Sequence, residues 1–254
     1  MRRALILAAA AAPILCPAAS AHPGGGRVVP EIVHIPTDDG QSLEGSFRKP
    51  ASGKAPAIVL VHDAGGDRSQ LDPLADKLSK QGFGVLTLDL RGHGGSKSEA
   101  LDWSKLSESD RKATWLLAPH DVDAATKWVL GQPNIQSTSL SLVGYGAGCA
   151  LVVRHAKGDE NVVCITLLAP NTADVRSDIQ TLVGLPTFVV ASKDDEAERM
   201  VKEANAASSG GVPYVDVFLA APKATTSLLE DKRLPTKISD WISDKALPKK
   251  ARAK

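Results

Sequence analysis

Cysteine is scarce, with three in 254 residues. That excludes a small disulfide-knit scaffold, and a chain of this length buries a core without such staples. An excess of one charge is also missing, since 30 Lys and Arg face 29 Asp and Glu for a net charge of +1. Nothing in that balance implies a nucleic-acid surface. The apolar run at 4–15 falls short of the roughly 20 residues that span a bilayer. Histidine and aspartate occur without metal-ligand spacing, so neither a metal nor another cofactor is expected. No internal repeat is present. Histidine is absent after His155.

The start of the chain has a layout of its own. Arg2 and Arg3 precede the apolar run, and Ala19-Ser20-Ala21 supplies small residues where a signal peptidase cuts. Residues 1–21 are therefore expected to be a secretory signal peptide. The product would be exported, periplasmic or secreted, with no membrane span left after cleavage. Cys149 and Cys164 remain in it. Both lie in apolar segments, so buried free thiols are expected ahead of a bridge. Residues 22–247 read as a single domain and 248–254 as a basic flexible tail.

Within the domain, apolar runs at 57–61, 85–88, 140–143, 162–168, 187–191 and 214–219 read as strands buried on both faces. Helical stretches at 71–80, 122–130, 147–156, 196–207 and 236–243 alternate with them. Residues 28–35 and 42–47 are two further strands joined by the turn Thr37-Asp38-Asp39-Gly40. With no helix between them, they should pair antiparallel at one edge. Such alternation predicts an α/β fold, a mostly parallel sheet flanked by helices. The polar 90–118 stretch, with Trp103 and Trp115, is a candidate small lid, the tryptophans serving either there or as plain packing. The 170–186 segment is too short for a full cap domain.

Four landmarks follow the strands in order. They are His62-Asp63-Ala64-Gly65-Gly66, then Asp89-Leu90-Arg91-Gly92-His93-Gly94-Gly95-Ser96, then Gly144-Tyr145-Gly146-Ala147-Gly148, then Ala191-Ser192-Lys193-Asp194. Together they resemble the α/β-hydrolase superfamily, in its esterase and dienelactone-hydrolase-like branch. The resemblance implies an oxyanion loop at 62–66, a D-x-R-G-x-G-x-S loop at 89–96, a nucleophile elbow at 144–148 and a catalytic acid near 194. His62, Asp63, Ala64, Tyr145, Ala147 and His93 would then line the oxyanion and ligand-binding face.

The same resemblance exposes what is absent. Gly146 occupies the nucleophile position and has no side chain to attack with. Thr226, or Thr225 in a shifted register, takes the place of the histidine, and threonine is no general base near neutral pH. Asp194, or its neighbour Asp195, is the acid left over. The backbone amides of Ala64 and Ala147 would still face an oxyanion. Asp63 stands where the family usually has glycine, and its charge opposes an incoming anion. His62 and His93 read as loop histidines, His120 and His155 as helix residues. The expected function is therefore a catalytically degenerate hydrolase-fold protein that binds a small apolar or acyl ligand or a protein partner. The alternative is an active carboxylic-ester hydrolase with a non-standard site.

Overall fold

The structure, a computed structural model, describes residues 29–51, 53–192, 195–208, 213–220 and 232–247. The expected signal peptide and basic tail lie outside the described residues, as do Asp194, Thr225 and Thr226.

The chain opens with an antiparallel pair, β1 (Glu31–Pro36) and β2 (Ser42–Arg48). Gly40, at φ +86°, closes the turn between them in a conformation that suits glycine. Val33 and Ile35 of β1 face the core while Ile32 faces out, the period of a strand covered on one side. Next come β3 (Ala55–Val61), α1 (Asp72–Lys80) and β4 (Gly84–Leu88). They are followed by α2 (Glu108–Leu117), α3 (Pro119–Leu130), β5 (Ile135–Tyr145), α4 (Gly148–Ala156) and β6 (Val162–Leu168). The described chain ends with α5 (Thr172–Ile179), β7 (Thr187–Ser192), α6 (Asp195–Ala206), β8 (Val215–Ala220) and α7 (Leu234–Ala246).

Among the described residues one sheet runs in the order β1-β2-β4-β3-β5-β6-β7-β8. β2 meets β4 antiparallel, and every pair from β4 onward is parallel. β3 is buried at all its positions because helices cover both of its faces. Ala57, Val59 and Val61 join a cluster with Val122 of α3, Val152 of α4, Ile179 of α5 and Met200 of α6. Ile58 and Leu60 turn the other way, against Leu74 and Leu78 of α1 and Ile238 and Ile242 of α7. The strand runs read from the sequence are these strands, and the edge pairing of β1 with β2 is as expected.

Four differences have physical reasons. α2 lies within the stretch read as polar because it buries no side chain and so has no apolar stripe to betray it. Its signal is a cap, with Ser107 Oγ accepting from the Asp110 N–H at 3.2 Å. α3 begins at Pro119, ahead of the expected 122, since proline fits the first helical turn. β5 begins at Ile135 instead of 140, where it pairs with Ala55 and buries Ile135. α5 likewise fills part of 170–186, started by Asn171 Oδ1, which accepts from the Ala173 N–H.

Register sets the site. Val61 pairs with Leu88 on one side and Gly144 on the other, and Tyr145 pairs with Leu168. The carboxyl ends of β3, β4, β5 and β6 are therefore level, and their loops open along one edge of the sheet. Ligand sites of open parallel sheets form at that edge.

Candidate functional site

The elbow between β5 and α4 has the backbone of a nucleophile turn. Gly146 sits at φ +55°, and its N–H donates to the Leu168 carbonyl at 2.9 Å. Its flanks are crowded. A Cβ on Gly144 would lie 2.6 Å from Cys149 Cα, and one on Gly148 would lie 2.5 Å from the His62 carbonyl oxygen. Only glycine fits at either position. Cys149 is fully buried, and its thiol donates to the Leu168 carbonyl at 3.4 Å. Burial pushes that thiol well above the ordinary range, so it supplies no thiolate at the elbow. Cys164 is buried as well, and both thiols are free.

The space above Gly146 is filled by the side chain of Asp63. A Cβ on Gly146 would overlap the Asp63 carboxyl group, both Cγ and Oδ1. Oδ1 accepts from the Ala64 N–H at 2.8 Å and from the Ala147 N–H at 2.7 Å. These are the two amides expected to face an oxyanion, and here they converge on a carboxylate that belongs to the chain itself. The anion also lies at the N-terminus of α4, where the helix dipole favours negative charge. The sequence marks the substitution of Asp63 for glycine as a repulsive charge. It does not reveal that the carboxylate folds into the gap left by Gly146.

Two histidines stand beside this pair, and both pin loops. His62 Nδ1–H donates to the Asp63 carbonyl at 2.8 Å, while Nε2 accepts from the Leu90 N–H at 3.0 Å. His93 Nδ1–H donates to the Arg91 carbonyl at 2.9 Å, while Nε2 accepts from the Gly65 N–H at 3.1 Å. Each ring thus holds one tautomer and spends both nitrogens on backbone. Burial lowers the pKa of His62, and burial followed by the neighbouring His62 pushes His93 down to about 4. Neither ring has a nitrogen left to take a proton from a substrate or a water.

The 89–96 loop is held by its own polar residues. The Asp89 carboxylate accepts from the Arg68 and Gly95 N–H groups and pairs with the Arg68 guanidinium. Ser96 Oγ donates to the Asp89 carbonyl at 2.6 Å and accepts from the Glu44 N–H at 2.8 Å. Arg91, almost fully buried, grips Asp121 at 2.7 Å and Asp39 at 2.7 Å. The Arg91 hydrogen bonds are the main reason that the Asp39 carboxyl is lowered to about 2. The partners Asp39 and Asp121 are distant in sequence and gave no signal.

The expected lid is a packed wall. Trp103 lies over His93 with ring centres 4.6 Å apart, and Trp115 meets Trp103 edge-on at 5.7 Å. Trp103 thus roofs His93, and Trp115 packs against Trp103 and the core cluster. Tyr145 closes β5 and packs against the cluster on the α1 and α7 side. His120 and His155 lie on α3 and α4, where they bond to Asp38 and to Asp123 and Asp159. Among the described residues no group of His, Cys, Asp and Glu has the geometry of a metal site.

Comparison with known proteins agrees with this fold. Among solved structures, an esterase of Pyrococcus furiosus superposes with a TM-score of 0.66 at 17% identity, covering 85% of this chain and 93% of that one. A dienelactone hydrolase of Anabaena variabilis superposes with a TM-score of 0.62 at 16% identity, covering 87% and 97%. At such identities the likeness establishes the α/β-hydrolase fold alone. An uncharacterized protein of Mycobacterium tuberculosis is 31% identical over 144 residues, 56% of this chain and 51% of that protein. The chain thus spans about half the length of the curated relatives it matches. The model of the dienelactone hydrolase family matches residues 43–207, from β2 through α6 and so across the oxyanion loop, the elbow and the 89–96 loop. This chain belongs to the dienelactone hydrolase family.

Proposed function

We propose that the protein is an exported, non-hydrolytic member of its family with a binding role. One observation carries the reading. The Asp63 carboxylate fills the space of the missing nucleophile and occupies both amides that would stabilise a tetrahedral intermediate. An ester carbonyl finds neither an attacking group nor a hole for its oxygen. His62 and His93, the histidines nearest the site, are bound to backbone through both nitrogens, which argues against an active ester hydrolase with substitute residues. An acyl ligand has no carbonyl anchor here, so apolar contact beside Trp103 is the chemistry left for a ligand. Leu116 and Leu117, exposed on α2, extend that apolar character towards a protein partner.

The test is hydrolysis of a panel of short aryl esters by residues 22–254, with Asp194→Ala as the contamination control. No rate above the control is expected, and a rate abolished by Asp194→Ala would sink the proposal. Restoration is the sharper test. Gly146→Ser with Thr226→His should react with a fluorophosphonate only when Asp63→Gly clears the site. Export is tested by N-terminal sequencing of the mature protein, expected to begin at His22.

A further inference from the structure

We propose that the protein carries a second binding site, a trough between α3 and the β1–β2 turn, and that it takes a neutral oligosaccharide. The site stands apart from the elbow, and no residue lining it belongs to 62–66 or 144–148. It follows from the period of α3. Val122, Ala125 and Val129 turn into the core. Ala124 and Trp128, one turn apart, therefore fall on the flank that faces β1, and His120, Asp123 and Lys127 fall nearer solvent. Ile35 and Pro36 of β1 form the opposite wall. The space between the walls is about 550 Å3, within the range of small-ligand sites. It runs from His120 to Gln132, roughly 18 Å along the helix, which suits a chain of rings better than a single ring.

The walls are fixed before any ligand arrives. The buried Arg91 guanidinium donates to Asp39 of the turn at 2.7 Å through Nη1 and to Asp121 of α3 at 2.8 Å through Nε. Nearer solvent, the His120 Nδ1–H donates to Asp38 Oδ1 at 2.8 Å. Trp128 is braced edge-on by Phe47, with ring centres 5.3 Å apart. A site built in advance spares its ligand the cost of ordering it. The complete 89–96 loop thus has a use that does not depend on a nucleophile.

Charge selects the ligand. Asp38 and Asp123 oppose an anion, and Lys127, which forms no ion pair among the described residues, opposes a cation. Both carboxylates already have a histidine partner, that of Asp123 being His155 at 2.6 Å. A neutral ligand with many hydroxyl groups meets no repulsion here. It can donate to the remaining lone pairs of the carboxylates and accept from Lys127. Sugar rings also present a face of C–H groups, which Trp128, Ile35 and Pro36 would cover. A wholly apolar ligand would strip water from the charged groups and return no hydrogen bond.

Maltohexaose, cellohexaose, mannohexaose and N-acetylchitohexaose are the probes, titrated into the purified protein by calorimetry. At least one should bind, and several-fold more tightly than the anionic galacturonate hexamer or the cationic glucosamine hexamer. Trp128→Ala should weaken that binding by at least roughly tenfold. Trp128 also packs on the core, so Trp128→Phe, which keeps a ring against Phe47, should fold and bind with intermediate affinity. Lys127→Ala changes an exposed side chain, so it should fold as the wild type does and weaken binding by about threefold. Failure of all four neutral probes to bind overturns the proposal. So does equal or tighter binding of either charged hexamer, or binding that neither Trp128→Phe nor Lys127→Ala alters. None of these outcomes bears on aryl-ester hydrolysis, so the non-hydrolytic reading stands or falls by its own test.

Discussion

The 89–96 loop and the 144–148 elbow lie on the same edge of the sheet, with the 62–66 loop of β3 between them, and they differ in what their side chains do. In the loop each side chain of the family pattern is present and has a partner, Asp89 with Arg68, Arg91 with Asp121 and Asp39, and Ser96 with the Glu44 amide. In the elbow the backbone of the turn is intact, with Gly144 and Gly148 at their close contacts and Gly146 at positive φ, and glycine stands at its centre. The side chains that hold the loop are all paired, while the centre of the elbow has no side chain. A family can thus be legible in a chain whose reaction is not.

The largest effect should come from breaking the loop. Arg91→Ala leaves Asp121 as a fully buried carboxylate with no cation beside it. Removing one partner of a buried pair costs about 3–5 kcal/mol. Urea unfolding should show a loss of that size at unchanged slope. The exposed Lys112–Glu108 pair of α2 is a control of the opposite kind, because Lys112→Ala should cost no more than about 1 kcal/mol. A small loss at Arg91 would mean that the loop is no more architectural than the elbow.

The elbow offers a subtler test. Gly146→Ser must place a Cβ at φ +55°, a conformation that costs roughly 1–2 kcal/mol for an L-residue. It must also expel the Asp63 carboxylate from its two amides. Asp63→Gly removes the collision but abandons those hydrogen bonds. The double variant should therefore be more stable than the sum of the single losses predicts, with a coupling of about 0.5–3 kcal/mol. Additive thermal-denaturation results would mean that Asp63 and Gly146 are independent substitutions.

Much of this was legible in the chain. Strand runs and their alternation with helices gave the parallel sheet, because strands covered on both faces are apolar throughout. The glycines of the elbow were readable too, since crowding at Gly144 and Gly148 tolerates no side chain. α2 was not readable, because it buries nothing and its cap, Ser107, is a common residue. Nor was the occupancy of the amides by Asp63. That depends on where a side chain turns in three dimensions, and the sequence shows only that a glycine is absent at one position and a serine at another. The partners of Arg91 were hidden for the same reason, with Asp39 on the β1–β2 turn and Asp121 on α3.

His62, between the two regions, and His93, within the loop, provide the smallest effect, read through pH. His93 is pushed down to about 4 from an ordinary value of 6.5, and His62 is also lowered. Between pH 6.5 and 4 the unfolded chain binds a proton at residue 93 while the folded chain does not. Stability contributed by the neutral ring is therefore complete above about pH 6.5 and declines as pH falls towards 4, with a slope of at most about 1.4 kcal/mol per pH unit for this residue. Chemical denaturation across that range should show the decline, and His93→Gln should flatten it. The glutamine amide can still donate to the Arg91 carbonyl, so much of the loop contact survives while the titration is removed. A decline that persists unchanged in the variant would assign it to His62 or to other groups. His93 would then titrate as an ordinary histidine and be free to exchange protons at the site, which would return it to the chemistry of the elbow from the architecture of the loop.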